Sequence, residues 1–187
     1  MKNLLILLMF LSMGSRELQA QKKTEPPATR QIKGTQNMIG FGLYFPAGVF
    51  AQTHFVGAGL DYSWSAYRFG RNISLDKTFG FIVNGGISYY AGKRITTEGY
   101  ESSYGGFMNV YAMPGIMYNP LINGTFSLTA GPELNIYKGA ASAGFGVSLL
   151  SNYFISENIT IGPGVVYKKH PDTDALWAIA IRVSHNF

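Results

Sequence analysis

Ala175-Leu-Trp-Ala-Ile-Ala-Ile-Arg-Val-Ser-His-Asn-Phe187, the final thirteen residues, reads as two faces. Ala175, Trp177, Ile179, Ile181, Val183, His185 and Phe187 share one face, apolar except for His185. Leu176, Ala178, Ala180, Arg182, Ser184 and Asn186 share the other, small or polar except for Leu176. A period of two is the signature of a strand. An apolar face ending on a terminal aromatic suits a strand that crosses lipid and stops at the membrane–water boundary. The stretch therefore predicts the closing strand of a membrane β-barrel.

The same period recurs seven times upstream. Ile39, Phe41, Leu43 and Phe45 oppose Gly40, Gly42 and Tyr44; Val56, Ala58, Leu60, Tyr62, Trp64 and Ala66 oppose Gly57, Gly59, Asp61, Ser63 and Ser65. The third strand sets Phe79, Phe81, Val83, Ile87 and Tyr89 against Gly80, Asn84, Gly86 and Ser88. The fourth, over about 104–118, sets Met108, Val110, Ala112, Pro114 and Ile116 against Asn109, Tyr111 and Gly115. In the fifth, Phe126, Leu128, Ala130, Pro132, Leu134 and Ile136 alternate with Thr125, Ser127, Thr129, Gly131, Glu133 and Asn135. The sixth sets Phe145, Val147, Leu149 and Tyr153 against Gly144, Gly146, Ser148 and Asn152, and the seventh sets Ile159, Ile161, Pro163, Val165 and Tyr167 against Thr160, Gly162, Gly164 and Lys168. Each segment is long enough to cross a bilayer as a tilted strand of about 9–11 residues.

A soluble sandwich also alternates, but its water-facing side should carry Lys, Glu and Arg. Here the second face is mostly Gly, Ser, Thr and Asn, which fits the narrow interior of an eight-stranded barrel. The apolar face carries Tyr62, Trp64, Tyr118, Tyr153, Tyr167, Trp177 and Phe187 near strand ends, as an aromatic girdle would. The predicted fold is all-β: an eight-stranded antiparallel up-and-down transmembrane barrel over residues 37–187. Pro114, Pro132 and Pro163 fall inside strands, where a missing donor breaks the ladder. Bulges, with a one-residue register slip at some of them, are the expectation. With a periplasmic N-terminus, the external loops are about 46–54, 92–103, 138–141 and 169–174, and the periplasmic turns about 70–77, 119–124 and 155–158.

Residues 1–20 read as a secretory signal peptide: Lys2, the apolar run Leu4 to Met13, and Leu18-Gln-Ala20 as a cleavage site. The run is too short for a spanning helix. Residues 21–36, with Pro26-Pro27, read as a flexible periplasmic tail. The chain has no cysteine, which removes disulfides, thiol chemistry, Cys-based zinc sites and lipid attachment at an N-terminal cysteine. Only 13% of the residues are charged, against about 25% in soluble domains. Net charge is +5, and the predicted signal's own +1 leaves +4 on the rest, much of it at Lys22, Lys23, Arg30 and Lys33. An anionic membrane surface suits that charge better than nucleic acid, which an exported chain does not meet.

Thr129-Ala-Gly-Pro-Glu-Leu134, Ile161-Gly-Pro-Gly-Val165, the Tyr118-Asn-Pro120 turn and the ending Arg182-Val-Ser-His-Asn-Phe187 together resemble the small outer-membrane β-barrel proteins of Bacteroidota, similar to the porin-type OmpA, OmpX and OmpW barrels. The resemblance covers about residues 37–187. It implies a place in the bacterial outer membrane, contact with its lipid and lipopolysaccharide, and insertion by the barrel-assembly machinery, with Phe187 as the assembly signal. It implies no single activity.

Asp61, Glu133 and Arg182 fall on the lumen face by register. A charge in a narrow barrel must be paired, so Arg182 is expected to meet Glu133, Asp61 or both, with Tyr111 or Tyr137 nearby. The 92–106 loop is the candidate external binding surface, through Lys93, Arg94, Tyr100 and Tyr104. His54 and His170 fall at the external rim, where lipid A deacylases use a His with a Ser and a carboxylate; Asp172 and Asp174 are close to His170 in sequence. Asn72, Asn123 and Asn158 each open an Asn-x-Ser/Thr triplet, read here as turn chemistry. The expected function is a non-enzymatic barrel with a side-chain-filled lumen, structural or a binding or accessory subunit of an outer-membrane complex, with no cofactor or metal site. The alternatives are a narrow channel for small or apolar solutes and a lipid A-modifying barrel enzyme.

Overall fold

A computed structural model describes residues 35–69, 78–97, 100–121, 124–156, 158–171 and 175–187. The predicted signal peptide and nearly all of the predicted tail lie outside the described residues, as do Asn72, Asn123, Asp172 and Asp174. Eight long strands close into one antiparallel barrel: β1 (Thr35–Ala47), β2 (His54–Phe69), β3 (Thr78–Gly92), β6 (Phe107–Leu121), β7 (Gly124–Tyr137), β8 (Ala140–Phe154), β9 (Ile159–Lys169) and β10 (Leu176–Asn186). Each pairs with its sequence neighbours, and β10 returns to β1. Closure is tight: Met38 to Ala47 pair residue for residue with Asn186 to Trp177, and the Phe187 amide donates to the Asn37 carbonyl at 3.0 Å. Among the described residues the barrel sheet closes on itself without an edge strand, which is what a sheet in a bilayer requires.

The barrel is apolar outside and polar within. Along β10, Trp177, Ile179, Ile181 and Val183 are each 44–53% exposed, while Ala178, Ala180, Arg182 and Ser184 between them are 1–3% exposed. In water that outer surface would be an aggregation hazard; against acyl chains it is the required solvent match. All eight strands predicted from the period are present, with the faces on the expected sides.

The proline expectation fails. Register is unbroken through Pro114, Pro132 and Pro163. Pro114 and Pro132 sit on facing strands two ladder steps apart. The β6–β7 ladder pauses over 112–114 against 130–132 and resumes in the same register, from Tyr111↔Glu133 to Gly115↔Thr129. Each proline keeps its pairing on the opposite side, Val83↔Pro114 and Pro132↔Phe145. A lost donor removes a bond, but a slip needs an extra residue, and the intact outer ladders exclude one. Pro163 does the same: Ile181↔Pro163 holds, while β8–β9 pauses between Leu150↔Gly164 and Tyr153↔Ile161. The register shifts that do occur lie near strand ends, between His54 and Gly57, Ala66 and Phe69, and Tyr118 and Leu121.

The loops hold structure that alternation does not announce. A one-turn helix, α1 (Val49–Thr53), follows β1. The longest loop folds as a hairpin of its own, β4 (Arg94–Thr97) with β5 (Tyr100–Ser103). The turn between β7 and β8 is only Lys138-Gly139, with φ of 49° and 81°. Two successive positive φ values make the type I′ turn whose twist suits a two-residue hairpin, which is why this loop is so short. α1, the β4–β5 hairpin and this turn share one end of the barrel, called the upper rim below.

Candidate functional site

The lumen is a packed core of polar and apolar layers. Two ion pairs cross it by the same construction. Asp61 on β2 and Arg182 on β10 are separated by β1, so their side chains must span roughly 9–10 Å of sheet, two strand spacings. The strand between offers Gly40, where a β-carbon would fall onto the guanidinium and the carboxylate. Through that gap Arg182 Nη2 donates to Asp61 Oδ1 and to Ser63 Oγ, the latter at 3.0 Å. Ser63 Oγ in turn donates to Asn84 Oδ1 at 3.1 Å.

Glu133 on β7 does not meet Arg182. Its partner is Lys168 on β9, with Nζ 3.6 Å from Oε1, and the intervening strand again offers a glycine, Gly146, whose β-carbon would strike the Glu133 carboxylate. Lys168 also donates to Asn109 Oδ1 at 2.5 Å, and Asn109 Nδ2 donates to Asn135 Oδ1 at 2.8 Å. Lys168 lies over the Tyr90 and Tyr111 rings, 5.7 and 5.8 Å from their centroids. The expected single network is thus two networks, because Glu133 and Arg182 face different strands. Lys168, on the lumen register all along, is the residue that sequence reasoning left out. Tyr111 lies beside Gly86, where a β-carbon would meet its hydroxyl and the Asp61 side chain. Tyr137 packs at the upper rim.

Above the charges the lumen turns aromatic. Phe50 of α1 is 2% exposed and packs its ring 4.8 Å from His54, 4.9 Å from Tyr90 and 5.7 Å from Phe107. Tyr44, Leu150, Val166, Ala178 and Ala180 extend that cluster downward. At the opposite end Met38, Ile82 and Met117 form a second apolar cluster. A cavity of about 20 Å³ is lined by Tyr44, Asp61, Tyr111, Glu133, Lys168 and Arg182 among others; that is room for about one water.

His54 and His170 flank Phe107, at 6.0 and 5.9 Å. His54 Nδ1 bonds Thr53 Oγ1 at 2.8 Å and His170 Nδ1 bonds Asn135 Nδ2 at 2.7 Å. Among the described residues, neither ring has a Ser or a carboxylate as hydrogen-bond partner, and no group of three or more His, Cys, Asp or Glu could hold a metal. His185 faces outward, its ring stacked against Phe187 at 6.5 Å.

Of the loop residues, Lys93 is committed inward: Nζ donates to the Ala51 carbonyl and lies 5.2 Å from the Phe55 ring centroid. Tyr104 is half-buried, its amide bonded to the Lys93 carbonyl at 2.9 Å. Arg94 and Tyr100 are exposed, Tyr100 by 82%. The hairpin therefore presents Arg94 and Tyr100, while Lys93 and Tyr104 hold its base.

His170, just past the end of β9, carries a pH prediction. Burial lowers its pKa, and Lys168 and Lys169 lower it further. The unfolded chain then binds a proton that the barrel refuses, so stability falls as pH drops below about 6.5, the ordinary imidazole value, and levels off once the folded ring is also protonated. The urea midpoint in detergent should be lower at pH 5 than at pH 7.5, and His170→Asn should remove part of that difference. Coincident pH profiles for the two proteins would sink this account.

No family model and no curated protein matches the chain. Solved structures do. The chain is similar to the Yersinia pestis outer membrane protein Ail in a phospholipid nanodisc, with TM-score 0.55 at 13% identity over 81% of this chain and 99% of that one. It is similar to the outer membrane enzyme PagL, with TM-score 0.53 at 10% identity over 80% and 98%. It is similar to the outer membrane protein OprG of Pseudomonas aeruginosa, with TM-score 0.50 at 10% identity over 82% and 96%. At these identities the likeness establishes the fold, a small eight-stranded membrane barrel, and nothing about activity.

Proposed function

We propose that this protein is a non-enzymatic barrel of the bacterial outer membrane. Its lumen is closed, and it serves as a structural element or as a small binding or accessory subunit. The observation that carries this reading is the double ion-pair crossing, Asp61–Arg182 and Glu133–Lys168, beside a lumen cavity with room for about one water. A pore needs a continuous wet path, and each buried pair would have to be broken and resolvated to make one. Residues 1–20 act as the export signal and the stretch from 21 up to the start of β1 as a periplasmic tail. The upper rim faces outward, so the β4–β5 hairpin offers Arg94 and Tyr100 to lipopolysaccharide or to a partner subunit.

PagL, to which the chain is similar, is an enzyme, but the hydrogen-bond partners of His54 and His170 are Thr53 and Asn135, and no carboxylate is among them to orient either ring. The test is electrical. Purified protein in a planar bilayer should pass no steady current, and Asp61→Ala with Glu133→Ala should raise leak. Stepwise single-channel conductance in the unaltered protein would replace this reading with the narrow channel.

A further inference from the structure

The two ion-pair networks share no direct bond, yet both open onto the same space. Asp61 and Arg182 from one pair, Glu133 and Lys168 from the other, line the lumen cavity of about 20 Å³ together with Tyr44 and Tyr111. Strand register brings these groups to one layer. Tyr111 pairs with Glu133 on one side and with Gly86 on the other, and Gly86 pairs with Asp61. The Tyr44 ring folds back over Gly42, which pairs with Arg182. We propose that this cavity is a binding site for one water molecule, which accepts a hydrogen bond from Arg182 and donates one to Glu133, and so ties the two ion pairs into a single plug.

Volume and chemistry select the occupant. A water needs about 10–15 Å³ of such space and two to four polar partners. Arg182 is 2% exposed and spends Nη2 on Asp61 and Ser63; Nε and Nη1 are donors with no hydrogen-bond partner among the described residues. Glu133 is 3% exposed. Lys168 stands 3.6 Å from its Oε1, an ion-pair distance too long for a hydrogen bond. Oε2 has no hydrogen-bond partner among the described residues either. One side of the cavity therefore offers protons and the other an accepting oxygen, and an occupant must both accept and donate to satisfy them. The two acids and two bases of the lining cancel, so an ion would bring an unbalanced charge into a buried site. An apolar occupant would leave the guanidinium and the carboxylate unpaired. A bridging water is nearly as good as a direct bond, so the space between the networks does not uncouple them. The inference deepens the closed-lumen reading and rests on it, since a wet path would hold many waters here and not one.

The barrel carries its own reporter. Met113 lines the cavity, and its methyl group lies beside the Glu133 carboxylate over Gly146. Met117, further along the lumen face of β6, packs instead in the lower apolar cluster. The two are 1% and 2% exposed, so bulk solvent reaches neither.

The test exposes the full-length barrel in detergent micelles to short X-ray pulses, which make hydroxyl radicals from water where it stands. Methionine sulfoxide is then read by mass spectrometry. Met113 should oxidise about tenfold faster than Met117. Ala180→Val, which adds bulk to the cavity lining, should bring Met113 down to the rate of Met117. Equally slow oxidation of the two in the unaltered protein overturns the site and leaves the lumen closed. Equally fast oxidation means water throughout the lumen, and it overturns the closed-lumen reading and the single site together. Fast Met113 oxidation that survives Ala180→Val also overturns the site. The bridge is tested by coupling. Arg182→Lys keeps the charge facing Asp61 but removes Nε and Nη1, and Glu133→Gln keeps the shape but removes the carboxylate. Combined, they should depart from the product of their separate effects on the unfolding constant by about fivefold. Independent effects overturn the bridge.

Discussion

Asp61→Ala should destabilise the barrel by about 3–5 kcal/mol, the usual cost of removing one partner from a buried ion pair. Arg182 cannot escape: it is 2% exposed, enclosed by β1, and its remaining partner is Ser63 at 3.0 Å. The cost arises from the stranded guanidinium and not from the lost attraction, so a second change should cancel most of it. Asp61→Leu together with Arg182→Met replaces the pair by apolar groups of similar reach and should restore stability to within about 1–2 kcal/mol, as buried pairs often allow. Gly40→Leu is the geometric counterpart. It retains both charges but fills the gap through which they meet, and it should behave like Asp61→Ala. Reversible urea unfolding in phospholipid vesicles, read from the lipid-facing Trp64 and Trp177, measures all three. A double variant as unstable as the single one would show that the pair itself holds the barrel together.

These consequences trace how far the sequence could be read. Alternation gave the eight strands, both faces and the burial of Asp61, Glu133 and Arg182, because a period of two is imposed by the backbone wherever one side meets lipid. It could not say which charges meet. Partners lie two strands apart, and the strand between decides whether they touch. The sequence does hold a clue: a glycine on the lumen register of the strand between, Gly40 for Asp61–Arg182, Gly146 for Glu133–Lys168 and Gly144 beneath Asn135–His170. That clue becomes legible only once strand order and register are known. Lys168 escaped notice because it lies near a strand end, beside Lys169, where a rim cation is the ordinary reading. The prolines misled because a missing donor was equated with a slipped register. Phe50 was unreadable, since a five-residue helix has no period to detect.

Ile181→Arg should cost about 2–4 kcal/mol, and Ile159→Arg only about 0–1. The two residues have the same chemistry and similar outward exposure, 44% and 42%. They differ in depth: Ile181 is the middle residue of β10, while Ile159 opens β9 at the lower rim, opposite His185. In a bilayer the mid-strand arginine sits among Leu43, Ile179 and Val183 with no water in reach, whereas the rim arginine extends its stem to the interface. If the barrel's surroundings were water, both substitutions would be ordinary surface changes within about 0.5 kcal/mol. The difference between the two variants, measured by urea unfolding in vesicles, therefore tests the solvent of the outer face without reference to any relative. A gap of at least about 1.5 kcal/mol is the expected result. Equal and small effects would mean that the apolar belt is covered by something other than lipid, and the membrane reading of the whole chain would have to be abandoned with it.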